Sequence, residues 1–472
     1  MLKKRKIKIL ILILSIIIIG GYFFISLLMG SNKFKNLKLP LNVEQRQLIK
    51  KYIFPYKAIS QQQQTISQQQ QTISQQKKFL KNIDFPLFES LIKESGTEIV
   101  TEESIVKLSN TKNLKKYELT SGFYYGIHEN FPGSGYIDFY GDNIIVISSR
   151  GVLAFKKNIE NTEENFQQIK NNINEFIDIS QFKKGRWFSL KDLYILNKKI
   201  FISYTEEIKE DCWNTSIIYG DMNYEKILFK KLFSPKECIH STNNIDKQFN
   251  ALQSGGKIIS IDKNNIILSI GDYRERYLAQ DKKSVNGKII KVNIGNGDHK
   301  VISMGHRNPQ GLYFDKENNI ILETEHGPQG GDEINLIELN RANKDEIPNY
   351  GWAISSAGEH YGYKIEDNII QNEKYKKYPL YKSHSKHGFI EPLKSFVPSI
   401  GISEIVKIET NRFVVSSFND KSLYFFELNK QNQIINLDRV EVFERVRDLR
   451  FHNNKLFLFM ESSASIGLIN LN

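Results

Sequence analysis

A short polar turn followed by a run of Ile, Val, Leu and Phe recurs along the C-terminal three quarters of the chain. The copies begin at Gly141, Asn197, Lys263, Glu317, Thr410 and Asn453, as in GDNIIVI, NKKIFIS and KNNIILS. Apolar runs of this length, bounded by Asn, Asp and Gly, read as strands entered through tight turns. Recurring strand units are the signature of a propeller, in which each small sheet hides its faces against its neighbours, although the copies here are spaced irregularly, 43 to 93 residues apart. Six copies predict six blades and an all-β body over residues 111–472. The widest gap, between the fourth and fifth copies, holds residues 349–392, rich in Tyr, Lys and Gly, and reads as an insertion over one face.

The N-terminal part follows other rules. Residues 9–29 are almost unbroken apolar sequence behind Lys3, Lys4, Arg5, Lys6 and Lys8. About 20 such residues span a bilayer as a helix, and a basic flank stays in the cytoplasm. Residues 1–30 therefore predict a single-pass membrane protein with a cytoplasmic N-terminus and a periplasmic or extracellular propeller. A cleaved signal peptide is the rival reading, against which stand the length of the run and the poor cleavage site at Gly30-Ser31. Residues 31–110 read as a polar stalk, partly helical over 43–56 and 75–95. Its ISQQQQT repeat offers one apolar residue in seven, too narrow a stripe for a stable coiled-coil seam.

Composition changes the picture little. The net charge of +12 is inflated by the N-terminal basic cluster. No basic stripe interleaved with stacking aromatics is present, which argues against nucleic acid as a partner. Cys212 and Cys238 bracket the strand-like runs 215–219 and 226–233, whose pairing as a hairpin brings the two residues within disulfide reach. Outside the cytoplasm that pair oxidises; two separate buried thiols is the alternative.

Candidate chemistry is concentrated in two segments. Residues 305–312 read GHRNPQGL and residues 324–335 read TEHGPQGGDEIN. Gly, Pro, His, Arg and carboxylates packed between apolar strands mark binding loops on a rigid scaffold. Arg307 and Asn308 are donors held by the turn at Pro309. Gly327-Pro328 forces an irregular backbone whose carbonyls suit a hard cation.

These segments, with NYGW at 349–352, QSGG at 253–256, IGD at 270–272, AQD at 279–281, GKII at 287–290 and RVRD at 445–448, resemble the quinoprotein glucose/sorbosone (aldose sugar) dehydrogenases. The resemblance implies a six-bladed propeller that uses pyrroloquinoline quinone (PQQ) and calcium to oxidise an aldose sugar or related alcohol, with an electron acceptor it does not name. It places Arg307 on a charge-stabilising arginine, Asn308 on a cofactor contact, and Arg445 and Arg447 on the cofactor carboxylates. Gly327 and Pro328 fall on calcium-ligating carbonyls, and Asp272 on the residue that orients the catalytic base.

The departures are specific. The base position, a histidine in the family, holds Gln253, whose amide cannot take up a proton. No Trp stands near Val397-Pro398, Asn419 replaces a cofactor-binding lysine, and the family segment that supplies a substrate contact near Gly133–Tyr136 is not recognisable. Asp281, His326 and His306 are the candidate replacement bases. The alternative function is a non-catalytic propeller that binds a glycan or a protein.

Overall fold

The computed structural model describes residues 98–471, apart from 109–111, 120–133, 179–180, 182–187, 341–345 and 362–368. The body is a six-bladed β-propeller. Its blades are antiparallel sheets that follow one another along the chain. Their innermost strands are Gly135–Tyr140, Leu190–Leu196, Gly255–Ser260, Pro309–Asp315, Ile402–Glu409 and Val446–His452. Each packs beside the next around a closed ring.

The six recurring turn-strand segments are the second strands of the six blades, for example Asn143–Ser148 and Lys455–Met460. The turns explain the recurrence. Asn197 and Lys198, and likewise Asn453 and Asn454, sit at positive φ, and the residues flanking each pair face one another across the hairpin. Two consecutive left-handed residues make the turn whose twist matches paired strands, and Asn tolerates that conformation. The strands that follow are buried on both faces: Ile144, Ile145, Val146 and Ile147 are all at most 1% exposed. Burying each such side chain contributes about 1.5–3 kcal/mol, and only a closed ring of blades supplies apolar neighbours on both sides.

The ring is closed by both ends of the described chain. Asn113–Leu119 pairs with Ser465–Asn470, so the sixth blade combines an N-terminal strand with three C-terminal ones. Thr101–Lys107 adds to that blade's edge, and Glu98–Ile99 adds to the first blade. Both segments fall within the stretch read from sequence as stalk.

The predicted basic flank, the apolar run at 9–29, the Gln-rich tract and the helices at 43–56 and 75–95 lie outside the described residues. The expected single-pass localisation, with its periplasmic or extracellular propeller, is corrected: among the described residues no helix is long and apolar enough to cross a membrane.

Cys212 and Cys238 form a disulfide, with Cα atoms 5.2 Å apart. Cys212 opens the strand Cys212–Asp221, which pairs with Lys230–Phe233 and, at its start, with Ile239–His240 beside Cys238. The insertion is present in the fourth blade, between Asp332–Glu338 and Lys394–Phe396. It carries a helix over Ile369–Lys377.

Candidate active site

Local irregularity in the inner strands builds the central site. In a regular strand, alternate residues face opposite ways. Here the pairing of the inner strand with its neighbour slips in five blades. Lys191, Gln310 and Arg447 are the residues skipped by the ladder in the second, fourth and sixth blades. Such bulges re-aim a side chain, and all three line one cavity of about 320 Å³ at the ring's centre. Gly256 permits the close packing this needs, because a Cβ there would lie 2.3 Å from Cβ of Lys191.

Gln253, Arg307, Asn308, Arg445 and Arg447 all reach this cavity. Asp272 does not line it but lies directly behind Gln253. With its amide oriented to satisfy its neighbours, Gln253 donates to Asp272 Oδ1 at 3.1 Å and accepts from Arg307 Nη2 at 2.8 Å and Arg274 Nε at 2.9 Å. Asp272 Oδ2 accepts from Trp352 Nε1 at 2.7 Å. Burial raises the Asp272 pKa, opposed chiefly by the Arg307 charge. Arg307 is further fixed by its Nη1 donating to the His326 carbonyl at 2.8 Å and by the Trp352 ring, 5.3 Å from its guanidinium carbon. Asn308 Oδ1 accepts from Gly255 N at 3.2 Å and from Gln310 Nε2 at 3.0 Å.

Arg445 and Arg447 share one carboxylate. Arg445 Nε donates to Glu461 Oε2 at 2.9 Å and Arg447 Nη2 to Glu461 Oε1 at 2.6 Å. Glu444, on the same segment, pairs with Lys116. Both guanidiniums lie over the Phe418 ring. Asn419 accepts from Arg445 Nη1 at 3.2 Å.

The candidate calcium residues sit to one side. Gly327 N donates to Asp332 Oδ1 at 3.1 Å, and Pro328 lines a neighbouring cavity of about 250 Å³ rather than the central one. Of the three candidate replacement bases, two are corrected. Asp281 is exposed and away from the cavity, its carboxylate accepting from Lys283 N. His306 is fully buried, bonded through Nε2 to Ser303 and facing Glu323 and Glu325 through Nδ1. His326 lines the cavity, and its Nε2 has no hydrogen-bond partner. Burial depresses its pKa to about 4, so the imidazole is neutral at pH 7.

Sequence reasoning missed Lys191, Arg274, Tyr361 and Phe418, all on the cavity wall. It also found no counterpart to the N-terminal contact, yet Tyr136 stands there on the first inner strand. An ionic cluster on the inner strands borders the cavity, contributing Lys257 and Glu404 to its wall. Lys257 pairs with Asp192 and Asp448, each at 3.0 Å, and with Glu404; Arg450 adds a 2.7 Å contact to Asp448.

The profile of glucose/sorbosone dehydrogenases matches residues 188–469, which is more than half of the chain. The chain belongs to the glucose/sorbosone dehydrogenase family. This member is 28% identical over 226 residues to an uncharacterised protein of Synechocystis, 42% of this chain and 50% of that protein. It is 26% identical over 188 residues to aldose sugar dehydrogenase YliI of Escherichia coli, 36% of this chain and 46% of that one. The chain thus spans about half the length of the relatives it matches. Among solved structures, the soluble aldose sugar dehydrogenase of E. coli in its apo-form gives a TM-score of 0.54 at 19% identity, covering 71% of this chain and 94% of that one. The PQQ-bound aldose sugar dehydrogenase of Streptomyces coelicolor gives 0.51 at 16% identity, covering 78% and 98%. At these identities the likeness is one of fold.

Proposed function

We propose that this family member is a PQQ- and calcium-dependent dehydrogenase of aldose sugars or related alcohols, in which Gln253 occupies the position of the family's general base. The observation that supports this most strongly is the convergence of Arg307, Asn308, Arg445 and Arg447, from distant parts of the sequence, on one cavity.

The wall suits a flat polyanion such as PQQ. Arg307, Arg445, Arg447 and Lys191 supply positive charge, against which Glu461 sets one carboxylate. The other acid on the wall, Glu404, is paired with Lys257, which also stands on the wall. Arg445, Arg447 and Lys191 would hold the cofactor carboxylates, in fork geometry for the arginines. Calcium, which the resemblance puts on the Gly327 and Pro328 carbonyls, would need the negative charge of bound PQQ beside it, because the described wall of the Pro328 cavity carries Arg274, Arg276, Arg307 and Lys374 and no carboxylate. When bound, PQQ supplies the two-electron acceptor for the hydride that leaves the sugar carbon.

The chain's own residues supply the rest. Arg307, fixed on three sides, stabilises negative charge that develops beside it. The Gln253 amide is committed to Asp272, Arg307 and Arg274, so it positions but does not accept a proton. The proton of the sugar hydroxyl goes to His326, a residue of the cavity wall whose buried Nε2 has no hydrogen-bond partner. An imidazole of such low basicity is a weak general base, because efficiency is best with a pKa near the working pH. Turnover is therefore slow.

The test is aldose oxidation by the full-length protein with PQQ, calcium and a dye acceptor. Slow oxidation that is abolished in His326→Gln supports the reading. A quinone-loaded protein that oxidises no aldose or alcohol favours the non-catalytic propeller that binds a glycan or a protein, the reading for which Gln253 speaks.

A further inference from the structure

The cavity beside the central one is lined by Arg274, Arg276, Arg307 and Lys374, beside Pro328, with no carboxylate among the described residues of its wall. Of these four cations only Arg276 has an ion pair among the described residues, with Asp246 at 3.6 Å. Asp272, behind Gln253, acts on Arg274 and Arg307, and Asp246 on Lys374, so four cations face two carboxylates that stand off the cavity wall. The Lys374 pKa is lowered, first by burial and then by Arg276, and that of Arg274 is lowered by burial and then by Arg307. Arg274 is also held at φ 69°, a left-handed conformation that a non-glycine residue adopts at a cost. Its side chain is thereby fixed between Gln253 Oε1, 2.9 Å from Nε, and the Tyr361 ring, 5.5 Å away.

Partly buried cations that outnumber the carboxylates near them gain from an anion that reaches several of them at once. The cavity is continuous in its residues with the central one, because Arg274, Arg307 and Tyr361 line both. Trp352, buried, and Tyr361, half exposed, put aromatic rings on its wall. Such rings suit the C–H face of a sugar. PQQ carboxylates held at Arg445, Arg447 and Lys191 would leave this second set of cations unmatched.

We infer that this second cavity takes the anionic group of an acidic sugar, a carboxylate or a phosphate, and so makes sugar acids or sugar phosphates the preferred substrates over neutral aldoses. This rests on the dehydrogenase reading for turnover, but not for binding. Tyr361 carries the ring, Arg274, Arg276 and Lys374 hold the anion, and the hydroxyl to be oxidised lies toward Arg307 and His326.

Calorimetric titration of the full-length protein, with and without PQQ and calcium, separates the two questions. The probes are glucuronate, glucose 6-phosphate and glucose at equal ionic strength. The expected result is that at least one anionic sugar binds about tenfold or more tightly than glucose, the scale of one charge-assisted hydrogen bond. Which of the two wins identifies the anion. The preference should shrink about tenfold in Lys374→Gln and in Arg274→Gln and persist in Arg274→Lys, with thermal melts confirming that each variant folds. Equal binding of glucose and both acids, or an acid preference unchanged in Lys374→Gln and Arg274→Gln, overturns the inference. Preferential binding of acids by a protein that takes up no PQQ upholds the anion site and refutes the quinone reading instead.

Discussion

The side-chain nitrogen of Gln253 donates to Asp272 Oδ1 at 3.1 Å. Asp272 therefore still holds whatever stands at position 253, and Trp352 and the Arg274 backbone hold Asp272. A histidine placed there would find an orienting carboxylate in position. Gln253→His is expected to raise aldose oxidation by part of the 10²–10⁴-fold typical of general-base catalysis, about tenfold or more in kcat. Steady-state rates of the two reconstituted proteins measure this. An unchanged rate would mean that proton transfer does not limit turnover, or that it happens elsewhere.

Arg447 reaches the cavity as the extra residue of a bulge and shares Glu461 with Arg445. Arg447→Met should weaken PQQ binding by about 1.5–3 kcal/mol, the loss of one hydrogen bond to a charged group. Fluorescence titration of the apoprotein with PQQ reads the change. A smaller effect than that of Asn308→Ala would move the carboxylate contact away from the sixth blade.

Lys191 sets a pH dependence. Burial first, then Arg447 and Arg150, lowers its pKa to about 7. A neighbouring carboxylate raises it again, so binding a polyanion at pH 8 takes up a proton. Affinity should then fall as pH rises from about 7. Calorimetry in buffers of different ionisation enthalpy counts the protons, and the uptake should vanish in Lys191→Met. For stability the sign is opposite. A lysine whose folded pKa lies below its unfolded value opposes folding fully below about pH 7. Its cost is relieved as pH rises toward the unfolded value.

The ionic cluster bordering the cavity predicts a structural phenotype. Removing Lys257 leaves Asp192 and Asp448 facing each other with Arg450 as their remaining cation. Lys257→Met should cost about 3–5 kcal/mol of stability, the usual penalty for breaking a buried ion pair. Urea unfolding of the two proteins gives the difference.

Much of this was legible in the sequence. The six second strands announced themselves because their turns need Asn, Gly or Asp and their bodies are apolar on both faces. Arg307 and Asn308 could be named because they sit in a turn-rich motif of recognisable spacing. Lys191 could not. It lies between Leu190 and Asp192 in an ordinary-looking strand, and only the slip in pairing with Ser203 and Tyr204 turns it toward the axis. Arg274 likewise depends on a backbone conformation that no local pattern announces. His326 was visible as a candidate, but choosing it over Asp281 and His306 required knowing which of the three reaches the cavity. The membrane reading rested on a run outside the described residues, and no described helix bears it out.

The central claim is that the arginines of the fourth and sixth blades form one quinone site. Titrating the full-length apoprotein with PQQ in the presence of calcium, and recording the absorption spectrum of the quinone, tests it most directly. Saturable binding with a shifted spectrum, one PQQ per chain and loss of the shift in both Arg307→Ala and Arg447→Met, is the predicted result. A spectrum identical to that of free PQQ at every protein concentration would contradict it.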